Sequence, residues 1–489
     1  MDGSLAPSLS APHGDPVIRG LTADSRAVEP GFLFAALPGS KLHGKIFIGD
    51  AVKRGATALL IDDSQVLTAL HREYPGIPVM VDPNPRRRLA QMAARFHAPQ
   101  PKTLVAVTGT NGKTSVAAFT RQIWQHAGRR AASVGTLGVV GPDFERAGAL
   151  TTPDPVTLHR ELQDLARLAI DHVAIEASSH GLDQFRLDGL DVAAAAFTNL
   201  SRDHLDYHRT MEAYLASKAR LFGELLPRGR AAVLNADAPE FDALARLSRS
   251  RSHGILAYGT GARTELRLLA ARPGAAGQEL DLKVLGRRYT VSLPLVGRFQ
   301  AMNALAALGL ALATGVPRDM SVEALGQLVG APGRVQHVAS HPNGAPIFVD
   351  YAHTPDALEN VLTALRPHCR GRLVVLFGAG GDRDAGKRPA MGEVTTRLAD
   401  VVIVTDDNPR SEDSAAIRRA ILVGAPGARE IGDRGEAIAF AIDMLQPEDL
   451  LVLAGKGHER GQIVGDVTHP FEDAEVARAV VALLAKARS

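Results

Sequence analysis

The sequence predicts an α/β protein in three pieces of domain size, residues 1–98, 99–332 and 333–489, with largely parallel sheets in the second and third. Three observations carry this expectation. Pro-rich stretches at 98–102 and around 330–333 mark the boundaries. Apolar runs of strand length alternate with helix-period segments in both later pieces. Each run in the last piece ends in a distinctive polar loop, as the carboxyl ends of strands do when they line a ligand crevice.

In the middle piece a buried-strand pattern at 104–107 passes into TGTNGKTS, residues 108–115. The usual phosphate loop reads G-x-x-x-x-G-K-[ST]; here its first glycine position holds Val107, and Gly109 follows two residues later. The surviving part carries the mechanism. Gly109, Thr110, Asn111 and Gly112 form a flexible turn, and backbone N–H groups at the helix start that follows attract anions. Lys113 reaches the outer phosphates, and the hydroxyl of Thr114, beside Ser115, suits Mg2+. Val116, Phe119, Ile123 and Ala127 then repeat at helical spacing, with Gly128 as the stop. Further runs at 173–175, 193–197 and 231–234 continue the sheet. In the last piece the runs at 347–349, 373–377, 401–404 and 450–453 lead into DYAHTPD, GAGGDRD, TDDNPR and AGKGHE. A dinucleotide fingerprint is excluded there, because the third glycine of G-x-G-x-x-G would fall on Arg383.

Composition narrows the function classes. Hydrophobic residues make up 45% of the 489 and charged residues 22%, ordinary for a soluble globular chain. A net charge of +2 gives no field that argues for nucleic acid or a membrane surface. The single cysteine, Cys369, excludes an internal disulfide framework and fits a reducing compartment. The N-terminus has neither a basic start nor an apolar core and reads as a loose tail, while the most apolar stretch, 13 residues from Ala304, reads as a core helix. A cytoplasmic protein is expected.

Four constellations carry chemistry. Glu176 directly follows the run 173–175, where nucleotide-binding folds keep an acid for Mg2+, although the place also suits a helix cap. In FTNLSRDHLDYH, residues 197–208, His204 and His208 stand four apart, which permits zinc. No third ligand of suitable type is evident, and Asp203 and Asp206 suggest an oxygen-rich setting instead. On the next helix Lys218 lies on an apolar stripe with Met211, Leu215, Phe222 and Leu225. A lysine there usually snorkels to water; held indoors, it needs neutralising, pairing or chemical conversion. Last, Arg383, Asn408 and Arg410 stand on neighbouring strand ends, where paired guanidinium groups suit either a carboxylate or a surface ion-pair network.

Taken together, TGTNGKTS, EASSHG, TNLSRDHLDYH, the Lys218 helix, GRFQAMNALAA, GRVQHV, VDYAHTPDAL, GAGGDRD, DNPR and GKGHE resemble the Mur ligases of peptidoglycan synthesis, in order, from about Asp24 to Glu459. The likeness is nearest to the members that add meso-diaminopimelate to UDP-N-acetylmuramoyl-L-alanyl-D-glutamate. The resemblance implies a UDP-binding N-terminal domain, a central P-loop-type ATPase domain and a Rossmann-like C-terminal domain that receives the amino acid. It implies an ATP-dependent acid–amino-acid ligase, with ATP as co-substrate, Mg2+ as cofactor, an acyl phosphate on the way, and a place in cell-wall growth, cell shape and division.

By that resemblance Lys113, Lys218 and His204 are catalytic, and Thr114, Glu176, His204 and Lys218 serve Mg2+, the last as N6-carboxylysine. The nucleotide lies on Gly109, Thr110, Asn111, Gly112, Lys113, Thr114 and Ser115, with Asn303, Arg334 and Asp350. The UDP-linked substrate meets Ser25, Ser40, Lys41 and Leu42 on its uridine side and Thr151, Thr152, Ser178, Gln184 and Arg186 on its muramoyl-dipeptide side. Diaminopimelate meets Arg383, Asp407, Asn408, Pro409, Arg410, Gly455 and Glu459. Two departures, His43-Gly44 where relatives often have Asp-Gly and Leu150 where some have Asn, touch only substrate-edge positions. The alternatives are a lysine-adding or other Mur-type ligase such as folylpolyglutamate synthase, against which DNPR and the N-terminal piece argue, and a nucleotide-dependent regulatory protein, which does not require the polar strand-end loops.

Overall fold

The computed structural model describes residues 9–10, 16–39, 42–274 and 277–487, without the side chains of Leu9, Ser10, Asp206 and Ala487. They divide into two compact units, one drawn from Met1–Asn111, Arg129–Ala232 and Asp242–Ile255, the other from Gly112–Gly128, Val233–Phe241 and Leu256–Ser489.

The first unit contains two sheets. Strands Gly20–Thr22, Phe32–Ala35, Ala56–Ile61 and Val79–Val81 lie side by side and parallel, and Leu9–Ser10 joins the last of them antiparallel. Period-two alternation sends Phe34, Leu59 and Ile61 to one face and Leu33, Ala35 and Leu60 to the other, so helices cover both. In the second sheet Val192–Phe197, Thr103–Thr108, His172–Glu176 and Ala131–Gly135 are parallel neighbours, extended by the antiparallel Gly138–Val140 and Glu145–Arg146. The central strands are buried on both faces, which is why they read as unbroken apolar runs. Their register sets Glu176 opposite Val107 and Phe197 opposite Thr108, so both flank the loop that begins at Gly109.

In the second unit the helix Lys113–His126 packs on the helix Arg298–Ala313. The latter is apolar nearly all round and is buried accordingly, as the run from Ala304 predicts. Strands Leu266–Pro273, Gln278–Val284 and Arg287–Leu293 form an antiparallel meander that is not among the expectations from sequence. Its signal is nonetheless present: Leu280, Leu282 and Val284 are buried in alternation, and the turn at Leu285-Gly286 has φ of 47° and 89°.

The last sheet runs, edge to edge, Gln336–Ser340, Pro346–Asp350, Leu450–Ala454, Leu373–Phe377, Val401–Val404 and Arg429–Glu430, parallel except for the first pair. Helices Pro355–Leu365, Lys387–Leu398 and Ser414–Leu422 cover one face, and Arg434–Asp443 with Asp473–Ala487 cover the other. Because Leu450–Ala454 is inserted between the first two parallel strands of the chain order, the sheet has a switch point there, and all four expected polar loops leave from the same edge. Among the described residues no helix is long and apolar enough to cross a membrane.

The two helices on the second face are joined by a fully buried ion pair. Arg434 Nε and Nη2 donate to the two oxygens of Asp473 at 2.7 and 2.6 Å, and Nη2 also donates to the Ala454 carbonyl at 3.0 Å. Removing one partner would strand the other charge, so Arg434→Ala is expected to destabilise the protein by about 3–5 kcal/mol. The paired change Arg434→Met with Asp473→Leu should recover most of it, and thermal unfolding of both variants checks the contrast.

Candidate active site

In the first unit the strand Thr103–Thr108 delivers Gly109, Thr110 and Asn111. At φ 147° and with Thr198 Oγ1 only 1.9 Å from where a Cβ would stand, Gly109 admits no side chain. The segment Thr198–Asn199 holds this half of the loop. Thr198 Oγ1 donates to the Asn111 carbonyl at 2.6 Å, Thr110 N donates to Asn199 O at 2.8 Å, and Asn111 N donates to Asn199 Oδ1 at 3.0 Å. Ser201 N reaches Thr110 Oγ1 at 3.0 Å. Thr198, Asn199 and Ser201 are therefore loop-shaping residues that the reading by role misses, although TNLS marks them.

Lys218 is buried, with Nζ donating to the Gly109 carbonyl at 2.7 Å and lying 4.3 Å from the Tyr214 ring centre. The lysine is thus indoors and paired. The expected stripe is rotated slightly: Tyr214, Ser217, Lys218, Leu221, Phe222 and Leu225 are the buried residues, whereas Met211 and Leu215 are half-buried. A π turn at Leu221–Leu225, closed by Leu226 N to Leu221 O at 2.8 Å, follows directly. His204 begins the short helix Leu205–His208 at φ 54°, half exposed, its ring 4.9 Å from that of His180 and 6.3 Å from that of Tyr214. Tyr214 thereby stands next to both His204 and Lys218. Among the described residues no three His, Cys, Asp or Glu side chains group as metal ligands would.

Glu176 is buried at its strand end and accepts Thr136 N at 2.8 Å and Thr136 Oγ1 at 3.3 Å. Around it the residues expected on the muramoyl-dipeptide side come together. Thr136 Oγ1 meets Thr151 Oγ1 at 3.1 Å, Thr152 Oγ1 donates to Glu176 O at 2.7 Å and lies 2.9 Å from Ser178 Oγ, and Arg186 joins Thr152 O at 2.7 Å to Gln184 Oε1 at 2.7 Å. Tyr207, absent from the expectations, accepts Gln184 Nε2 at 3.2 Å and donates to Asp183 at 2.6 Å. Ser25 is buried at the start of a short 3-10 helix, Leu42 is exposed, and Ser40 and Lys41 lie outside the described residues.

In the second unit Gly112, at φ 91°, caps the helix Lys113–His126, and a Cβ there would meet Asn303 Oδ1 at 2.4 Å. Asn303 is thus beside the helix start, where Thr114 and Ser115 are buried. A relay continues from it: Asn303 Nδ2 donates to Gln300 Oε1 at 3.0 Å, and Gln300 Nε2 to Arg334 O at 3.2 Å. Arg334 stacks on Tyr351, 5.1 Å from the ring centre, and Tyr351 faces His458 at 5.2 Å. Asp350 is buried with Val335 N and Ala352 N donating to its two oxygens at 2.7 and 2.8 Å. Burial pushes its pKa up from 3.8 to about 6, against the pull of Arg334 and those two amides.

The loops expected to receive the amino acid interlock beside these residues. Asn408 Nδ2 donates to Glu459 Oε2 at 2.8 Å, Asn408 N donates to Asp407 Oδ1 at 2.7 Å, and Arg410 Nη1 donates to Gly381 O at 2.8 Å. A Cβ on Gly380 would touch both Arg410 Nη1 at 2.9 Å and Arg383 Cγ at 3.8 Å, so both side chains pass beside that glycine. Gly455, at φ 111°, leaves room for Asp407 Oδ2, which a Cβ would approach to 2.6 Å, and the Pro409 carbonyl packs on Gly381.

Comparison with known proteins gives the same arrangement a family. Residues 17–97 match the Mur ligase family catalytic domain, 107–311 the Mur ligase middle domain, and 333–457 the Mur ligase glutamate ligase domain. The UDP-N-acetylmuramoyl-L-alanyl-D-glutamate--2,6-diaminopimelate ligase of Brucella melitensis biotype 1 is 53% identical over 96% of both chains. The chain belongs to the Mur ligase family. The Agrobacterium fabrum ligase of the same name is 52% identical over 96% of this chain and 94% of its own. A solved structure of a ligase with that name superposes with a TM-score of 0.72 at 35% identity, covering 95% of each chain. The α/β architecture is thus that of the Mur ligases.

The raised pKa of Asp350 has a signed consequence. The folded state holds the proton more tightly than the unfolded state, so this stabilising contribution is complete below pH 3.8 and is lost as the pH rises to about 6. The change amounts to about 3 kcal/mol. Compared with Asp350→Asn, which does not titrate, the wild-type protein should lose stability between pH 4 and 6, read as the difference in unfolding free energy. Parallel pH profiles would refute it.

Proposed function

We propose that this chain joins meso-diaminopimelate to UDP-N-acetylmuramoyl-L-alanyl-D-glutamate in an ATP-dependent step of peptidoglycan synthesis. The observation that carries the reading is 53% identity, across 96% of both chains, to a ligase named for that reaction. The glutamate carboxylate attacks the γ-phosphorus, ADP departs and an acyl phosphate forms. The diaminopimelate amine then attacks the acyl carbon, and the tetrahedral adduct expels phosphate as the nitrogen gives up its proton.

Lys113 and the N–H groups from Gly109 to Ser115 neutralise the phosphate tail, while Asn303, Arg334 and Asp350 attend the rest of the nucleotide. Thr114 and Glu176 offer a hydroxyl and a carboxylate, oxygen donors that fit a hard divalent cation, and would hold Mg2+, which when bound offsets phosphate charge. His204 and Lys218 assist on the substrate side. Lys218 is housed as a cation, against a carbonyl and an aromatic face, and N6-carboxylation would convert it into an anion able to serve the metal. Ser25, Ser40, Lys41 and Leu42 take the uridine end, and Thr151, Thr152, Ser178, Gln184 and Arg186 the dipeptide. Arg383 and Arg410 bind the distal carboxylate of diaminopimelate, with Asp407, Asn408, Pro409, Gly455 and Glu459 around it. The three family segments support functional domains at 1–98, 99–332 and 333–489. The reaction runs in the cytoplasm, with ATP, and serves cell shape and division.

Phosphate release with an amino-acid panel tests the reading. It should require the UDP-linked dipeptide and meso-diaminopimelate together, with lysine discriminated against by about 10⁴-fold because it leaves a guanidinium unpaired. Release with either substrate alone, or equal use of lysine, would sink the proposal. Arg410→Ala should lose that discrimination along with most activity. Lys113→Ala should slow turnover about a hundredfold or more, read in the same assay, and full product yield from it would count against the phosphate-loop assignment.

A further inference from the structure

We infer that Lys456 is the positioning residue of the amino-acid pocket, its buried ammonium fixing Asn408, Glu459 and, through a hairpin, Arg410. The inference rests on the reaction proposed above and adds a residue to it. Lys456 follows the strand Leu450–Ala454 and is 0% exposed, which lysine almost never is unless paired. All three of its donors are used: Nζ reaches Asn408 Oδ1 at 3.1 Å, Glu459 Oε2 at 3.1 Å and Gly461 O at 2.6 Å.

Those bonds set the orientation of the pocket groups. Asn408 Oδ1 receives Lys456 Nζ and Ile463 N, the latter at 3.0 Å, while its Nδ2 faces the Glu459 carboxylate, so the amide has one allowed orientation. Glu459 Oε2 is tied twice, yet the side chain stays 32% exposed. Gly461 opens the hairpin Gly461–Val464 and Val467–Pro470. The hairpin grips Arg410 through Arg410 N to Ile463 O at 3.1 Å and Gly465 N to Arg410 O at 2.8 Å, holding that residue at φ 53°. A well-packed apolar side chain would give a core position equal or greater stability than a buried ion pair, so stability alone does not account for an ammonium here.

The test compares KM for meso-diaminopimelate, ATP and the UDP-linked dipeptide in wild type, Lys456→Met, Glu459→Gln and the double variant. Lys456→Met should raise the diaminopimelate KM about tenfold or more while the other two stay within about threefold. In the Glu459→Gln background the same change should raise it only about threefold, because the ammonium acts partly through that carboxylate. If Lys456→Met does not fold, the double variant, which strands no buried charge, still decides against Glu459→Gln alone. An unchanged diaminopimelate KM on adding Lys456→Met, equal rises for all three substrates, or the same factor in both backgrounds overturns the inference. A wild-type enzyme inactive with meso-diaminopimelate instead overturns the reaction assignment, and this inference with it.

Discussion

A charge taken out of water costs several kcal/mol unless it is paired, and the loops of this protein are organised around a few such charges. Lys218 pulls the Gly109 carbonyl toward it, and Glu176 takes both donors of Thr136. Asp350 gathers the amides of Val335 and Ala352, Lys456 ties Asn408 to Glu459, and Arg434 pins Asp473 under the Ala454 carbonyl. Glu176, Asp350 and Lys456 sit at or just beyond the carboxyl end of a strand, where backbone groups lose their ladder partners and polar neighbours are at hand, whereas Lys218 and Arg434 reach such ends from helices. A parallel sheet supplies many such ends on one edge. The burial of these charges is what converts flexible polar loops into surfaces of fixed shape.

The fold was legible wherever burial on two faces makes a strand continuously apolar. Leu373–Phe377 and Val401–Val404 coincide with their runs, and Leu450–Ala454 and Pro346–Asp350 extend theirs by one or two residues. The helix Lys113–His126 ends before Gly128 at φ 73°, as the stop signal implies. The meander escaped because its strands face solvent on one side: Glu279, Asp281 and Lys283 interrupt the apolar residues, so the run is visible only as an alternation. The hairpin at 461–470 escaped for a stronger reason. Its second strand is exposed throughout, and no hydrophobic pattern specifies it. Hydrogen bonds to the Arg410 loop hold it, and these leave no periodic trace in sequence.

The site was legible by residue type more than by role. Lys218 on an apolar stripe leaves snorkelling and burial open from sequence, and the fold buries it. Asn408 and Glu459 signalled recognition, yet each is half committed to the other and to Lys456, a residue whose place inside GKGHE gave no hint of zero exposure. Likewise TNLS reads as a polar segment, whereas Thr198 and Asn199 brace the loop at 109–111 from the neighbouring strand. Motif spacing reports which residues share a loop. It does not report which of two loops holds the other, because that depends on strand order across the sheet.

Strand order also explains why arginine and lysine divide the labour in the last sheet. Arg383 and Arg410 follow adjacent strands, Leu373–Phe377 and Val401–Val404, and both approach Gly380. Lys456 leaves the strand on the other side of Leu373–Phe377 and turns inward, where a compact ammonium can donate to three acceptors in different directions. A guanidinium could not satisfy that site: its five donors lie in one plane, and the three acceptors do not ask for a fork. Exchanging the two residue types would leave unpaired donors at both places. The arrangement therefore leaves both arginines exposed or half-buried and keeps the lysine out of solvent.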